Sequence, residues 1–197
     1  MKIAITGHTK GIGKKLSEIY SSKGHEIVGL SRSNGYEIKD VDKLLPLIEP
    51  CDIFINNAYD KFYQVELLFG MYKLWYTKPN KKIINISTFY TSYPSAADIG
   101  IEWIEYHVHK TALEDAVEKL RMYYNWPALT VVKPGLLSNA NIMGADVDKW
   151  CEHLVEMLNL NSEMLVEEIT LGMDFLSKGQ PNNVWNLQTQ YPVKGRI

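Results

Sequence analysis

The chain has 197 residues, a length that suits one domain with a substantial core. Hydrophobic residues make up 46% and the net charge is −2, with acids and bases mixed along the chain. That excludes a disordered tail and argues against a nucleic-acid protein working through a broad basic face. The apolar runs are too short to span a bilayer, so no membrane partner is expected. "MKIAIT" opens as a strand with no signal-peptide pattern, and Cys51 and Cys151 fit no metal spacing. Both read as free thiols of a cytoplasmic protein, with a disulfide between them as the alternative.

Residues 2–6 read as a first strand. Ile12, Leu16, Ile19 and Tyr20 then fall on one helical face, and Gly24 is placed to end that helix. "HEIVGLS" is a second strand and residues 36–38 a short third one. "CDIFINNA" is a buried fourth strand and "KKIINIST" a fifth, with a helix over 64–76 between them. Pro94 breaks the chain before a long helix over about 98–124. "ALTVVKPG" is a sixth strand, followed by amphipathic helices over 146–158 and 166–177 and a last strand at "NNVWNLQ". Strands alternating with helices predict an α/β domain with a largely parallel sheet, without internal repeat or linker.

The loop "TGHTKGIG" holds Gly7, Gly11 and Gly13 between the first strand and the first helix. A magnesium–triphosphate loop needs Gly-x4-Gly-Lys followed by Ser or Thr. Here Gly7 and Gly13 are one position too far apart, and Lys15 stands where the hydroxyl belongs. Gly-x-Gly-x-x-Gly fails too. The remaining pattern still suits a pyrophosphate, since glycines let backbone come close and N–H groups at a helix start face an anion.

"TGHTKGIG" resembles the cofactor-binding motif of the short-chain dehydrogenase/reductase family. "NNAY" (Asn56 to Tyr59) is similar to that family's Asn-Asn-Ala-Gly segment, "YHVHK" supplies Tyr-x3-Lys at Tyr106 and Lys110, and "KPG" resembles its Pro-Gly turn. The likeness covers residues 1–139 well and the rest only by pattern. It implies a Rossmann-type, doubly wound, largely parallel sheet of about seven strands flanked by helices, in a single domain spanning 1–197. It also implies a homodimer or homotetramer formed through the long helix.

Four residues apart on a helix, Tyr106 and Lys110 share one face. A free tyrosine has a pKa of roughly 10, and a neighbouring ammonium lowers it, so the pair is expected to exchange protons with a carbonyl or an alcohol. From spacing alone a solvated helix face, with Tyr packed beneath Lys, is the better reading, and only the surrounding motifs reverse it. The resemblance implies the proton-transfer role for Tyr106, with Lys110 also holding the nicotinamide ribose. It places a substrate-orienting hydroxyl on Thr88 or its neighbour Ser87, and strand alternation lets only one of them face the site. The family's helical catalytic asparagine has no clear counterpart; Gln64 and Glu66 are loose candidates. Tyr59 replaces the family's glycine. His107 and His109 diverge on their helix and make a poor metal pair, so no metal is expected.

Cofactor contacts implied by the likeness are Gly7, Thr9, Lys10, Gly11, Ile12 and Gly13 in the loop, and Ser31 and Arg32 after the second strand. Further along they are Asp40 and Val41 at the adenine edge, Asn56, Asn57 and Ala58, then Tyr106 and Lys110, then Pro134, Gly135 and Leu136 beside the nicotinamide. Asp40 fits a helix N-cap as well. An acid after the second strand would favour NAD(H), but "LSRS" offers Arg32, and Lys10 adds a second cation. A guanidinium can bind a 2′-phosphate, so NADP(H) is preferred and NAD(H) also admitted. The expected function is an NADP(H)-dependent oxidoreductase interconverting a carbonyl and an alcohol of a small molecule, with a substrate loop within 136–148. The alternatives are a non-catalytic NADP(H)-binding regulator and an NDP-sugar epimerase or reductase.

Overall fold

The computed structural model describes residues 1–92, 101–123, 126–138, 144–158 and 165–171. Its strands are β1 (Lys2–Thr6), β2 (Glu26–Leu30), β3 (Ile53–Asn56), β4 (Lys82–Ile86), β5 (Ala128–Pro134) and β6 (Glu168–Leu171). The helices are α1 (Gly11–Ser22), α2 (Val41–Ile48), α3 (Tyr63–Trp75), α4 (Ile101–Tyr123) and α5 (Val147–Leu158), with 3₁₀ turns at Arg32–Asn34 and Phe89–Ser92. All strands run parallel in the order β2-β1-β3-β4-β5-β6. This is a Rossmann-type, doubly wound α/β sheet.

Helices cover both faces, so the strands read as nearly unbroken apolar runs. Alternate residues go to opposite layers. Ile3, Ile5, Ile53, Ile55, Ile84 and Ile86 pack under α1 and α5 with Leu16, Tyr20, Trp150 and Leu154. Ala4, Phe54, Ile83, Leu129 and Val131 pack under α2, α3 and α4 with Leu44, Leu67, Met71, Trp75 and Val117. Gly24, at φ 81°, ends α1 as its position suggested, with the His25 N–H closing onto the Tyr20 carbonyl at 3.1 Å. Cys51 and Cys151 are buried free thiols with no disulfide between them, and burial pushes them up to about 11 and about 12.

Two expected elements come out differently. Residues 36–38 form no strand: the chain leaves β2 through a hydrogen-bonded turn, and the Tyr36 N–H bonds the Ser31 carbonyl at 2.9 Å. Only ten residues separate β2 from α2, too few for a parallel crossover on that edge. The helix expected over 166–177 is replaced over its described part by β6. There Glu168 and Thr170 are exposed while Ile169 is buried, a period of two. Thr130 Oγ1 donates to the Val166 carbonyl at 2.5 Å and the Arg121 guanidinium donates to the carbonyls of Leu129 and Glu167, fastening this segment along β5. The strand expected at 182–188 lies outside the described residues.

Candidate functional site

The order of strand addition reverses across the sheet between β1 and β3, because β1 connects outward to β2 and all later strands lie on the other side. Ligands of doubly wound sheets sit outside the carboxyl ends of the strands at such a point. The Thr6 hydroxyl staples it: the amides of Asn57 and Ala58 donate to Thr6 Oγ1 at 2.9 and 3.1 Å. Asn57 Nδ2 also donates to the Thr6 carbonyl at 2.9 Å. Beside this staple lies a cleft of about 660 Å³, lined by Gly7, Thr9 and Lys10, by the Leu30–Ser33 stretch and Tyr36–Ile38, and by Asn57 to Asp60.

Gly7 takes φ 71° and its N–H bonds the Leu30 carbonyl at 2.7 Å, turning the chain from β1 into α1. At Gly13 a side chain has no room, since a Cβ would stand 2.3 Å from the Gly7 carbonyl oxygen and 2.7 Å from Asn57 Nδ2. The helix therefore starts hard against the loop, with the free N–H groups of its first turn beside the cleft. That geometry fits a pyrophosphate. Ile12, by contrast, packs into the α1/α5 core.

At the β2 end, Ser31 is buried and locked in a turn, its Oγ 2.8 Å from Ser33 Oγ and its N–H donating to Asn34 Oδ1 at 2.8 Å. Arg32 and Lys10 are exposed at the cleft wall. Sequence reasoning missed two acids that share it, Glu37 and Asp60. Glu37 pairs with Lys39 at 2.7 Å, and this partner, with Arg32 adding a smaller share, holds its carboxyl below the usual range. Asp40 and Val41 do not line the cleft. Asp40 is the N-cap of α2, its carbonyl accepting from the amides of Lys43 and Leu44, while Val41 packs on the core. The missing third strand is the reason, because residues 36–38 occupy the wall in their place.

Tyr106 and Lys110 project from α4 toward the ends of β3 and β4. Lys110 is 3% exposed, and Nζ donates to Gln64 Oε1 and to the Ile86 carbonyl, both at 2.7 Å. Gln64 is itself held, Nε2 donating to the carbonyls of Asn56 at 2.8 Å and Ile86 at 3.2 Å. Gln64, from the loose pair suggested by sequence, thus meets the lysine, whereas Glu66 appears in no such contact. Burial drives Lys110 down to about 7, with Glu114 pulling the other way. The expected lowering of Tyr106 is reversed: desolvation raises its phenol, opposed by a hydrogen bond with Thr88. Spacing explains this, since Nζ lies over the ring, 5.6 Å from its centroid, with its bonds directed to Gln64 and Ile86.

Of the two hydroxyls, Thr88 meets Tyr106. Ser87 is buried and bonds Glu114 Oε1, an atom that also accepts from Thr91 Oγ1 at 2.7 Å, while Glu114 Oε2 pairs with Lys133 at 3.0 Å. Strand alternation thus turns Ser87 toward Glu114 and away from Tyr106. Asn56 is likewise fully buried, donating to the Gln64 carbonyl at 2.8 Å and to Asn85 Oδ1 at 3.1 Å, and does not line the cleft. Pro134, Gly135 and Leu136 leave β5 tied to β6 and to Ala145, with the Gly135 N–H on the Leu171 carbonyl and the Ala145 N–H on the Leu136 carbonyl, both at 2.9 Å. They do not line the cleft. Residues 139–143 of the expected substrate loop lie outside the described residues. Among the described residues no His, Cys, Asp and Glu cluster could hold a metal, and no helix is long and apolar enough to cross a membrane.

No protein-family model matches the sequence, and no curated protein matches it. Solved structures do match by shape. A short-chain dehydrogenase/reductase from Vibrio parahaemolyticus superposes with a TM-score of 0.70 at 14% identity, covering 88% of this chain and 97% of its own. The 3-alpha-hydroxysteroid dehydrogenase from Pseudomonas sp. B-0831, complexed with NADH, gives 0.64 at 17% identity, covering 92% and 100%. An alcohol dehydrogenase from the archaeon Thermococcus sibiricus, complexed with 5-hydroxy-NADP, gives 0.58 at 15%, covering 87% and 96%. The chain has the short-chain dehydrogenase/reductase fold.

Proposed function

We propose that this chain is a short-chain dehydrogenase/reductase that uses a nicotinamide dinucleotide, NADP(H) in preference to NAD(H), to interconvert a carbonyl and an alcohol on a small molecule. The observation that carries the reading is the meeting of Thr88, Tyr106 and Lys110 at the carboxyl ends of the parallel strands, beside a glycine turn shaped for pyrophosphate. When bound, the dinucleotide supplies or accepts the hydride. The chain's own groups handle the oxygen and its proton. Thr88 is placed to orient the carbonyl oxygen by a hydrogen bond. Tyr106, whose phenol desolvation raises above its ordinary value, suits a proton donor to that oxygen. Lys110, brought to about 7, can take up or give a proton near neutrality.

For the adenosine end, Lys10 and Arg32 stand at the cleft wall, and of the two acids that share it Glu37 is already paired with Lys39, leaving Asp60 against the two cations. That balance supports a 2′-phosphate. Self-association through α4 belongs to the same reading, with Ile101, Ile104 and Val108 exposed along it. The test is a carbonyl panel assayed with NADPH and with NADH, for wild type and Tyr106→Phe. Wild type should oxidise NADPH faster than NADH, and loss of the phenol should lower turnover by roughly 100-fold or more. Undiminished turnover in Tyr106→Phe would sink the mechanism, and faster NADH oxidation would overturn the cofactor preference.

A further inference from the structure

Tyr59 lines the cleft on one side and packs against the proton-transfer pair on the other. Its ring meets Tyr106 edge-on at 4.8 Å between centroids, and Lys110 Nζ lies 5.4 Å from its centroid. The ring is latched: Tyr59 Oη is 2.8 Å from His109 Nδ1, and Phe62 closes on the His109 ring at 4.3 Å. Two residues on, Lys61 sits at φ 47°, the one described non-glycine residue in the left-handed region. Such a conformation persists only where its surroundings hold it. Lys110 has three N–H donors, and Gln64 and Ile86 take two of them. The ammonium that remains to meet a ligand is covered by the rings of Tyr59 and Tyr106.

From this geometry we infer that Tyr59 is a gate that divides the dinucleotide site. The half that receives adenosine and pyrophosphate stands open, while the half leading to Lys110 and Tyr106 is closed until the Tyr59 ring leaves His109 and swings out. The inference rests on the dinucleotide reading of the cleft. It assigns a specificity role to the residue standing between the two halves: a ligand reaching only the first half binds without moving Tyr59, whereas a complete dinucleotide has to displace it. A binding-competent state populated only in part weakens apparent affinity by that fraction.

Calorimetric titration tests this without turnover. NADPH and NADH are compared with adenosine 2′,5′-bisphosphate and ADP, on wild type, Tyr59→Ala and His109→Ala. Removing the ring should tighten the better dinucleotide by about tenfold, if the open state holds about a tenth of the population, while its half-ligand is unchanged. His109→Ala, which frees the latch and keeps the ring, should shift the same ratio in the same direction by less. Because His109 is only half-buried and Tyr59 is 42% exposed, and neither belongs to the buried clusters, neither change opens the core. An unchanged ratio in both variants would overturn the gate while leaving the dinucleotide reading intact. So would a preferential loss of dinucleotide affinity in Tyr59→Ala, which would make the ring a platform for the ligand. Failure of every nucleotide to bind any of the three proteins would overturn the dinucleotide reading and the gate together.

Discussion

At the glycine end of the site the backbone does the shaping, with Gly7 and Gly11 at positive φ and Gly13 pressed against the Gly7 carbonyl. At the Tyr106 end side chains do it. Lys110, Gln64, Asn56 and Asn85 form a buried polar layer at the ends of β3 and β4, roofed by Tyr59 and Tyr106. The first end is open to solvent and carries its cations exposed; the second buries its cation almost completely. An open backbone cradle can accept a charged ligand with little rearrangement. A buried lysine pays for its place through its own proton affinity, so the two ends should respond to different perturbations.

The largest response is expected from pH at the buried end. Lys110 falls from 10.5 to about 7 on folding. The sign follows from proton counting: between about 7 and 10.5 the unfolded chain holds the proton that the folded chain has released, so stability rises with pH in this window. Below about 7 both states are protonated and the burial penalty stands in full. At one pKa unit per 1.36 kcal/mol, the penalty relieved across the window is on the order of 5 kcal/mol. Lys110→Met removes the titration while other groups remain. Chemical denaturation of both proteins from pH 6.5 to 9.5 should show wild type gaining on the variant as pH rises. A constant difference would mean that Lys110 is solvated in the folded state, and the contrast between the two ends would fail.

This end was the less legible one in the sequence. Tyr106 and Lys110 are four apart, so their shared helix face could be read directly, but the direction of the tyrosine shift could not. It depends on where Nζ finds its acceptors, and Gln64 lies 46 residues away. The choice between Ser87 and Thr88 was limited to one by strand parity, and the side-chain partner of Ser87 was not readable, because Glu114, which bonds it, lies 27 residues away. The cradle was readable because its constraint is local. Three glycines in one βα turn state a backbone requirement without naming a distant partner. The same locality misled at residues 36–38, where three alternating letters suggested a strand although the short connection to α2 forbids one. At 166–171 the helical spacing lost to the unpaired edge of β5, which recruited the segment as β6.

A smaller effect is expected from Gly13→Ala at the open end. The new Cβ meets carbonyl oxygen at 2.3 Å and its carbon at 2.9 Å, atoms that move only with the backbone of the loop. Overpacking of this kind costs about 1–3 kcal/mol and occasionally more, partly offset by roughly 0.5–1 kcal/mol from replacing glycine within a helix. Denaturation should therefore place the variant about 2 kcal/mol below wild type. Calorimetry with NADPH should show weaker binding as the first turn of α1 backs away from the loop. Unchanged stability would mean the loop is slack, and the cradle would lose its claim to be preformed.

Gly11→Ala is expected to have the smallest effect, and it separates two reasons for glycine within one motif. At Gly11 nothing lies within 4 Å of an added Cβ, so no packing penalty arises. What remains is its φ of 52°. For an L-residue the left-handed region costs about 1–2 kcal/mol, and alanine's narrower unfolded ensemble returns roughly 0.4–1 kcal/mol only where the native angles are tolerated, which here they are not. The loss should therefore be about 1 kcal/mol, and Gly11→Asn should recover part of it, because asparagine enters this region more readily. Gly13→Asn should recover nothing, since its obstacle is contact and not torsion. Equal rescue at both positions would show that one cause governs the whole loop, removing the distinction between a turn that needs a torsion and a helix start that needs space.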